Sequence, residues 1–435
     1  MARPPLRRAL RGRVVDFTAD PAEAGAGALR DHPDGLVIIE QGRIAAAGAA
    51  SDLLARVKPG TRVDHYPGCL ILPGLIDVHI HYPQTQVIAS YGARLLEWLE
   101  KYTFVEEQRF AERGHAERVA AFFLDELRRN GTTTAAVYCT THPESVDAFF
   151  QAAEARNMCT VAGKMMMDRN APDALLDGGQ RGYDQTKALI GRWHGKGRQS
   201  YAITPRFAVT SSDFQLEMTG ALVREHPDCL MQTHLAENDL EIRAAAELFP
   251  WAQSYTQIYD RYGLLGPRSI FGHCLHLGDD EVDRLREAGA VAAFCPTSNL
   301  FIGSGLFDLA RMDRAGVRVG LATDVGGGTS YSMLRTAAEA YKVLQLRGQN
   351  LDAARAFYMM TLGNARALAL DDRIGSFTPG HEADVVVLDP AATPAMAHRM
   401  ERAGDDLDLT LFVLMTMGDD RAVRQVYLMG EPAGA

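Results

Sequence analysis

The chain has 435 residues, 47% of them hydrophobic and 23% charged, and a formal net charge of −10; it is long enough for one large domain and a small one, and its acidity argues against a nucleic-acid surface. The opening Met-Ala-Arg-Pro-Pro-Leu-Arg-Arg holds no apolar core of secretory length, and no stretch approaches the roughly 20 apolar residues of a membrane span, so a cytoplasmic protein is expected. Six cysteines (Cys69, Cys139, Cys159, Cys229, Cys274, Cys295), mostly inside apolar runs and without a C-x-x-C pair, fit reduced core thiols better than disulfides or a zinc knuckle.

Residues 1 to 70 read as short strands and turns, Arg13–Phe17, Gly35–Glu40 and Arg43–Ala47, with Thr18–Asp34 as an irregular loop. From Leu70 short apolar runs alternate with helical stretches. Strands are expected at 71–80, 132–139, 159–167, 201–208, 229–235, 269–275, 290–295 and 317–323, and amphipathic helices at 112–129, 143–156, 212–225, 237–248 and 279–288. Helices 331–346 and 351–370 follow. After Gly375 the strand pattern returns, clearest at Ala383–Leu388 and Arg421–Met429. The fold class expected is α/β: a (β/α)8 TIM-like barrel over 71–372, with a small β-sandwich domain built from both chain ends, 1–70 and 373–435.

A barrel of this kind carries its site at the C-terminal ends of its strands. His79 and His81 alternate with Ile80, so both imidazoles leave one face of the first strand. His234 ends the fifth strand, His273 the sixth and Asp324 the eighth. Singly, each has a plain structural reading as a hydrogen-bonded core residue or a cap. Five such groups converging on one face make a metal site, and an N/O donor set suits zinc while also admitting Fe(II). Glu237, three residues beyond His234, is a carboxylate that can serve as general acid/base beside activated water, or a favourable first-turn residue of a helix.

The run Pro-Gly-Leu-Ile-Asp-Val-His-Ile-His at 73–81, with His-Leu-Ala-Glu at 234–237, Gly-His at 272–273 and Ala-Thr-Asp at 322–324, resembles the amidohydrolase superfamily in its single-metal deaminase branch. Further stretches are more particular: 81–86, 95–110, 131–134, 163–170, Thr-Pro-Arg-Phe at 204–207 and Cys-Pro-Thr-Ser-Asn at 295–299 are similar to the guanine deaminases of that superfamily. The resemblance implies that His79, His81, His234 and Asp324 hold one zinc ion per chain, that Glu237 shuttles protons, and that His273 orients or polarises the attacking water. It also implies that Gln84, Arg206 and the backbone at Phe207 bind the purine edge beside His234 and Glu237, and that the protein is a homodimer acting on a small molecule, guanine. Other readings stay open: a related enzyme for another purine, a pterin or a triazine, and a non-catalytic scaffold with the same fold.

Several signals are set aside. His115-Ala-Glu117 and His142-Pro-Glu144 fit half of the zinc nucleobase deaminase signature, but the Pro-Cys-x-x-Cys half is missing. Gly326-Gly327-Gly328 lacks the Lys-Ser/Thr of a phosphate loop and is expected to allow close backbone approach. Lys164 could form a bridging carbamate in a two-metal relative, a role the resemblance does not give it, and Met165-Met166-Met167 reads as core packing.

Overall fold

The structure, a computed structural model, describes residues 7–92 and 94–433; the opening residues 1–6 lie outside this range. Eight parallel strands follow one another around a barrel: Leu75–His81, Thr132–Tyr138, Cys159–Gly163, Gln199–Pro205, Leu230–Leu235, Ser269–His273, Val291–Phe294 and Arg318–Leu321. The first and last are joined at the C-terminal mouth, where Asp324 N–H donates to His79 O at 2.9 Å and His81 N–H to Val325 O at 2.7 Å. Asp77 adds a tie, accepting from Thr323 N–H at 3.2 Å.

Alternation along each strand sorts the interior by height. Leu230, Gln232 and His234 share one face of the fifth strand. Leu230 joins Ala202, Ile270 and Val291 in an apolar cluster, Gln232 spends its amide on Val137 O and Thr204 Oγ1, both at 3.1 Å, and His234 reaches the mouth. The apolar floor thus gives way, through one amide layer, to the polar groups of the open end.

The chain ends form a mixed seven-stranded sheet, in the order Glu431–Ala433, Val423–Leu428, Val385–Leu388, Arg62–Pro73, Arg7–Phe17, Leu29–Glu40 and Arg43–Ala49. Arg62–Pro73 pairs antiparallel with Val385–Leu388, which binds the two ends of the chain together. The run expected as one strand over 71–80 is therefore two, because both segments are buried and equally apolar. They separate at Gly74, where a Cβ would stand 2.1 Å from Thr133 Oγ1. The boundary expected between 70 and 71 falls inside Arg62–Pro73.

Two other expectations change. The loop expected over Thr18–Asp34 holds a helical turn at Pro21–Ala24 and then a strand from Leu29; Asp31 pairs with Arg13 at 2.6 Å and Asp34 with Arg11 at 2.8 Å across the ribbon, a polar pattern that reads as a loop in sequence. The strand expected over 159–167 breaks at Lys164 into Cys159–Gly163 and Met165–Met166. Among the described residues no helix is long and apolar enough to cross a membrane.

Candidate active site

The five strand-end residues meet at the barrel mouth. His79 Nε2 and His81 Nε2 each lie 3.4 Å from Asp324 Oδ1, and His81 Nε2 lies 3.2 Å from His234 Nε2. His273 Nε2 is 3.8 Å from Asp324 Oδ2 and 3.2 Å from Glu237 Oε2. His273 (φ 71°) and Asp324 (φ 51°) both adopt left-handed backbone, a conformation that costs on the order of 1–3 kcal/mol and clusters at functional sites.

The donor set fits a metal ion. Ligand atoms of His79, His81 and His234, and likewise of His79, His273 and Asp324, lie within 4.8 Å of one another. His79 Nε2, which faces Asp324, is buried without a hydrogen-bond partner among the described residues, a costly arrangement unless a cation takes its lone pair. The outer ring nitrogens fix the tautomers: His234 Nδ1–H donates to Arg206 O at 2.7 Å and His273 Nδ1–H to Asn299 Oδ1 at 2.9 Å, turning each Nε2 toward the cluster. Burial and the neighbouring histidines push the His234 pKa well below the ordinary value, so it offers a neutral nitrogen. For His273 burial also works against the charged form, but the facing carboxylates of Glu237 and Asp324 outweigh it and its pKa lies above the ordinary value.

Glu237 is not in a first helical turn. The helix runs Asp239–Leu248 with Asn238 as its cap, and Glu237 lies in the turn before it, after Ala236 at φ 50°. Its backbone N–H donates to Glu241 Oε2 at 2.9 Å, which fixes where the side chain starts. Ser304 Oγ then donates to Glu237 Oε1 at 2.8 Å, leaving Oε2 toward His273. Burial holds the Glu237 carboxyl above the usual range, with His273 opposing and Asp324 adding to the effect.

One pocket is lined by His81, His234, Glu237, His273 and Asp324 of this cluster and, on its wall, by Gln84, Arg206 and Phe207. Phe207 O accepts from Thr210 N–H and Oγ–H at 3.1 and 3.2 Å, so the Phe207 N–H is the backbone group left to offer. Trp98 and Leu99 also line it, on a helical segment that passes through a π turn at Leu99–Thr103. The glycine run behaves as expected of a close approach: a Cβ at Gly326 would stand 2.6 Å from Gln84 O, and one at Gly328 1.8 Å from Thr323 O.

The residues set aside lie elsewhere. His115 Nε2 pairs with Glu106 Oε1 at 3.0 Å, and His142 Nε2 meets Ala174 O at 3.1 Å. The Lys164 ammonium is fully buried and spent on Asp177, with Met165 O at 3.2 Å. Met165, expected only as core, also accepts from Arg206 Nη1 through its sulfur at 3.0 Å. Sequence reasoning missed Glu107, Asn299 and Ser304. Glu107 and Asn299 fall inside the family-like stretches 95–110 and 295–299, which was the available signal; Ser304, in a glycine-rich turn, carried none.

Comparison with known proteins agrees with this geometry. Residues 70–433 match the model of the amidohydrolase family. The chain is 49% identical over 425 residues to the guanine deaminase of Escherichia coli K12, covering 97% of each. A solved structure of E. coli guanine deaminase superposes with a TM-score of 0.96 at 49% identity, over 98% of this chain and 99% of that one. A guanine deaminase from C. acetobutylicum with guanine bound in its active site superposes with a TM-score of 0.88 at 25% identity, over 98% of this chain and 100% of that one. The chain belongs to the amidohydrolase family, in its guanine deaminase branch.

Proposed function

We propose that the protein hydrolyses guanine to xanthine and ammonia with one zinc ion per chain. The observation that carries this reading is the presence of Gln84 and Arg206 on the wall of the same pocket as the ligand cluster and Glu237, in a chain 49% identical to a guanine deaminase. His79, His81, His234 and Asp324 would hold the metal. When bound, it would supply Lewis-acid activation, lowering the pKa of a water to about 7.

The chain's own groups do the rest. Glu237 takes the proton of the attacking water on Oε2, returns it to a ring nitrogen of the purine as oxygen bonds to C2, and passes the second proton to the exocyclic amine, which leaves as ammonia. Its raised pKa suits a carboxyl that must both accept and give a proton. His273, held by Asn299, orients the water. Arg206, Gln84 and the Phe207 N–H grip the ring edge, where guanine offers acceptors and donors in turn.

The proposal extends to a homodimer working in the cytoplasm, and to the division of the chain into a small β domain from both ends and the barrel, with the first boundary moved to Gly74. Size-exclusion chromatography with light scattering would test the first of these. For the activity, ammonia release is measured against guanine, 8-oxoguanine, adenine, cytosine, pterin and triazines. Guanine should lead the panel; a pterin or triazine turned over faster would replace the reading.

A further inference from the structure

Glu107 is fully buried behind the pocket wall, and among the described residues its side chain bonds only to the two groups assigned to the substrate. Its Oε2 accepts from Arg206 Nη1 at 2.7 Å and its Oε1 from Gln84 Nε2 at 3.2 Å. Glu106 beside it serves structure instead, pairing with Arg109 and His115. The π turn at Leu99–Thr103 adds one residue to the helix and so advances its face by about 100°, which brings Glu107 inward while Trp98 and Leu99 reach the pocket.

The amide of Gln84 stands between an acceptor and a donor. A carboxylate paired with a guanidinium accepts and does not donate, and Gly326 N–H, which reaches Gln84 Oε1 at 3.2 Å, can only donate. The amide cannot flip without losing both bonds. It therefore turns one fixed N–H and one fixed lone pair toward a ligand. Arg206 is held in the same way: Nη1 is taken by Glu107 and the Met165 sulfur, and Cζ lies 5.1 Å from the centroid of the Phe104 ring, which among the described residues leaves Nε and Nη2 as the free donors.

We propose that Glu107 is the positioning residue for substrate recognition, fixing the hydrogen-bonding pattern that Gln84 and Arg206 present and neutralising the Arg206 charge. The inference rests on the guanine reading above. Glu107 touches neither metal ligands nor reacting atoms, so it acts on binding rather than on the chemical step. Its negative charge also matters for the product, because xanthine is a stronger acid than guanine and its anion would be favoured by an unneutralised guanidinium.

The test is Glu107→Gln in zinc-loaded protein, with KM and kcat for guanine, the inhibition constant of xanthine, and metal content measured together, and the same change repeated in a Gln84→Ala background. With metal content unchanged, KM should rise roughly 10- to 100-fold, as expected for a lost buried charge-assisted hydrogen bond, and kcat should change by less than about 3-fold. The xanthine inhibition constant should rise less than KM, and the effect should shrink when Gln84 is already gone. An unchanged KM, or a loss confined to kcat, would overturn the proposal. If Glu107→Gln does not fold, Glu107→Asp decides by the same split, and failure of both to fold would make Glu107 a support of the barrel and overturn it equally. A wild-type protein inactive on guanine would overturn the functional reading, and this proposal with it.

Discussion

Ser304 Oγ donates to Glu237 Oε1 at 2.8 Å, and this bond leaves the other carboxylate oxygen 3.2 Å from His273 Nε2. A hydroxyl on the turn after the seventh strand thus sets the rotation of the proposed proton shuttle. Ser304→Ala removes one hydrogen bond to a buried carboxylate, worth about 1.5–3 kcal/mol when the acceptor is charged. In kcat/KM for guanine the loss should be about 10- to 100-fold with metal content unchanged. Wild-type kinetics in the variant would show that Glu237 is aimed by its backbone alone.

Glu237→Gln keeps the shape and the Ser304 contact but removes the group that accepts the proton. Turnover should fall by about 10²- to 10⁴-fold while the metal stays bound. Metal content and kcat are read in the same preparation, and an active enzyme would take Glu237 out of the mechanism.

Arg206 is the proposed reader of the six-position side of guanine. Adenine places an amino donor there, facing donors, and would leave buried groups unpaired at about 1–3 kcal/mol each. Arg206→Ala should retain its metal, lose most of kcat/KM for guanine, and narrow the gap between guanine and 2,6-diaminopurine. A wild-type ratio between these two substrates would assign six-position reading to another group.

Arg198 joins the barrel to the C-terminal segment, with Nε at 2.8 Å from Glu382 Oε2 and Nη2 at 2.5 Å from Asp384 Oδ2, all three side chains buried. Burial works to raise the Glu382 pKa, but Arg198 and Arg373 outweigh it and hold it below the ordinary value; Asp384 is pushed up by burial against the opposing Arg198. Glu382 thus contributes stability that is present above its unfolded pKa and lost as pH falls through its depressed one. Arg198→Met leaves Asp384 without a cation while Glu382 keeps Arg373 at 2.8 Å, and should cost about 3 kcal/mol at neutral pH. Without the cation both pKa values rise, so the folded variant takes up protons first and the deficit should shrink between about pH 7 and pH 4. Urea midpoints across that range check it; a deficit that grows on acidification would contradict the pairing.

Much of this site was legible because its residues end strands. The alternation around Ile80 puts His79 and His81 on one face, and the short apolar runs before His234, His273 and Asp324 mark them as mouth residues of a barrel whose order follows the sequence. What stayed hidden depends on phase and on tertiary contact. Glu107 lies on a helix whose π turn breaks the 3.6-residue period, so an inward carboxylate could not be told from a solvated one. Ser304 acts across 67 positions of sequence, and no local pattern announces such a bond. The junction at Gly74 was blurred because hydrophobic periodicity does not separate two consecutive buried strands.

The sharpest single test is guanine conversion followed through metal removal and return, recording xanthine and ammonia together. Metal-loaded protein should yield the two one for one, stripped protein should yield neither, and zinc should restore both in proportion to the metal bound at His79, His81, His234 and Asp324. Xanthine formation that survives complete removal of the metal, or metal-loaded protein that leaves guanine untouched, would contradict the proposed hydrolysis at its root.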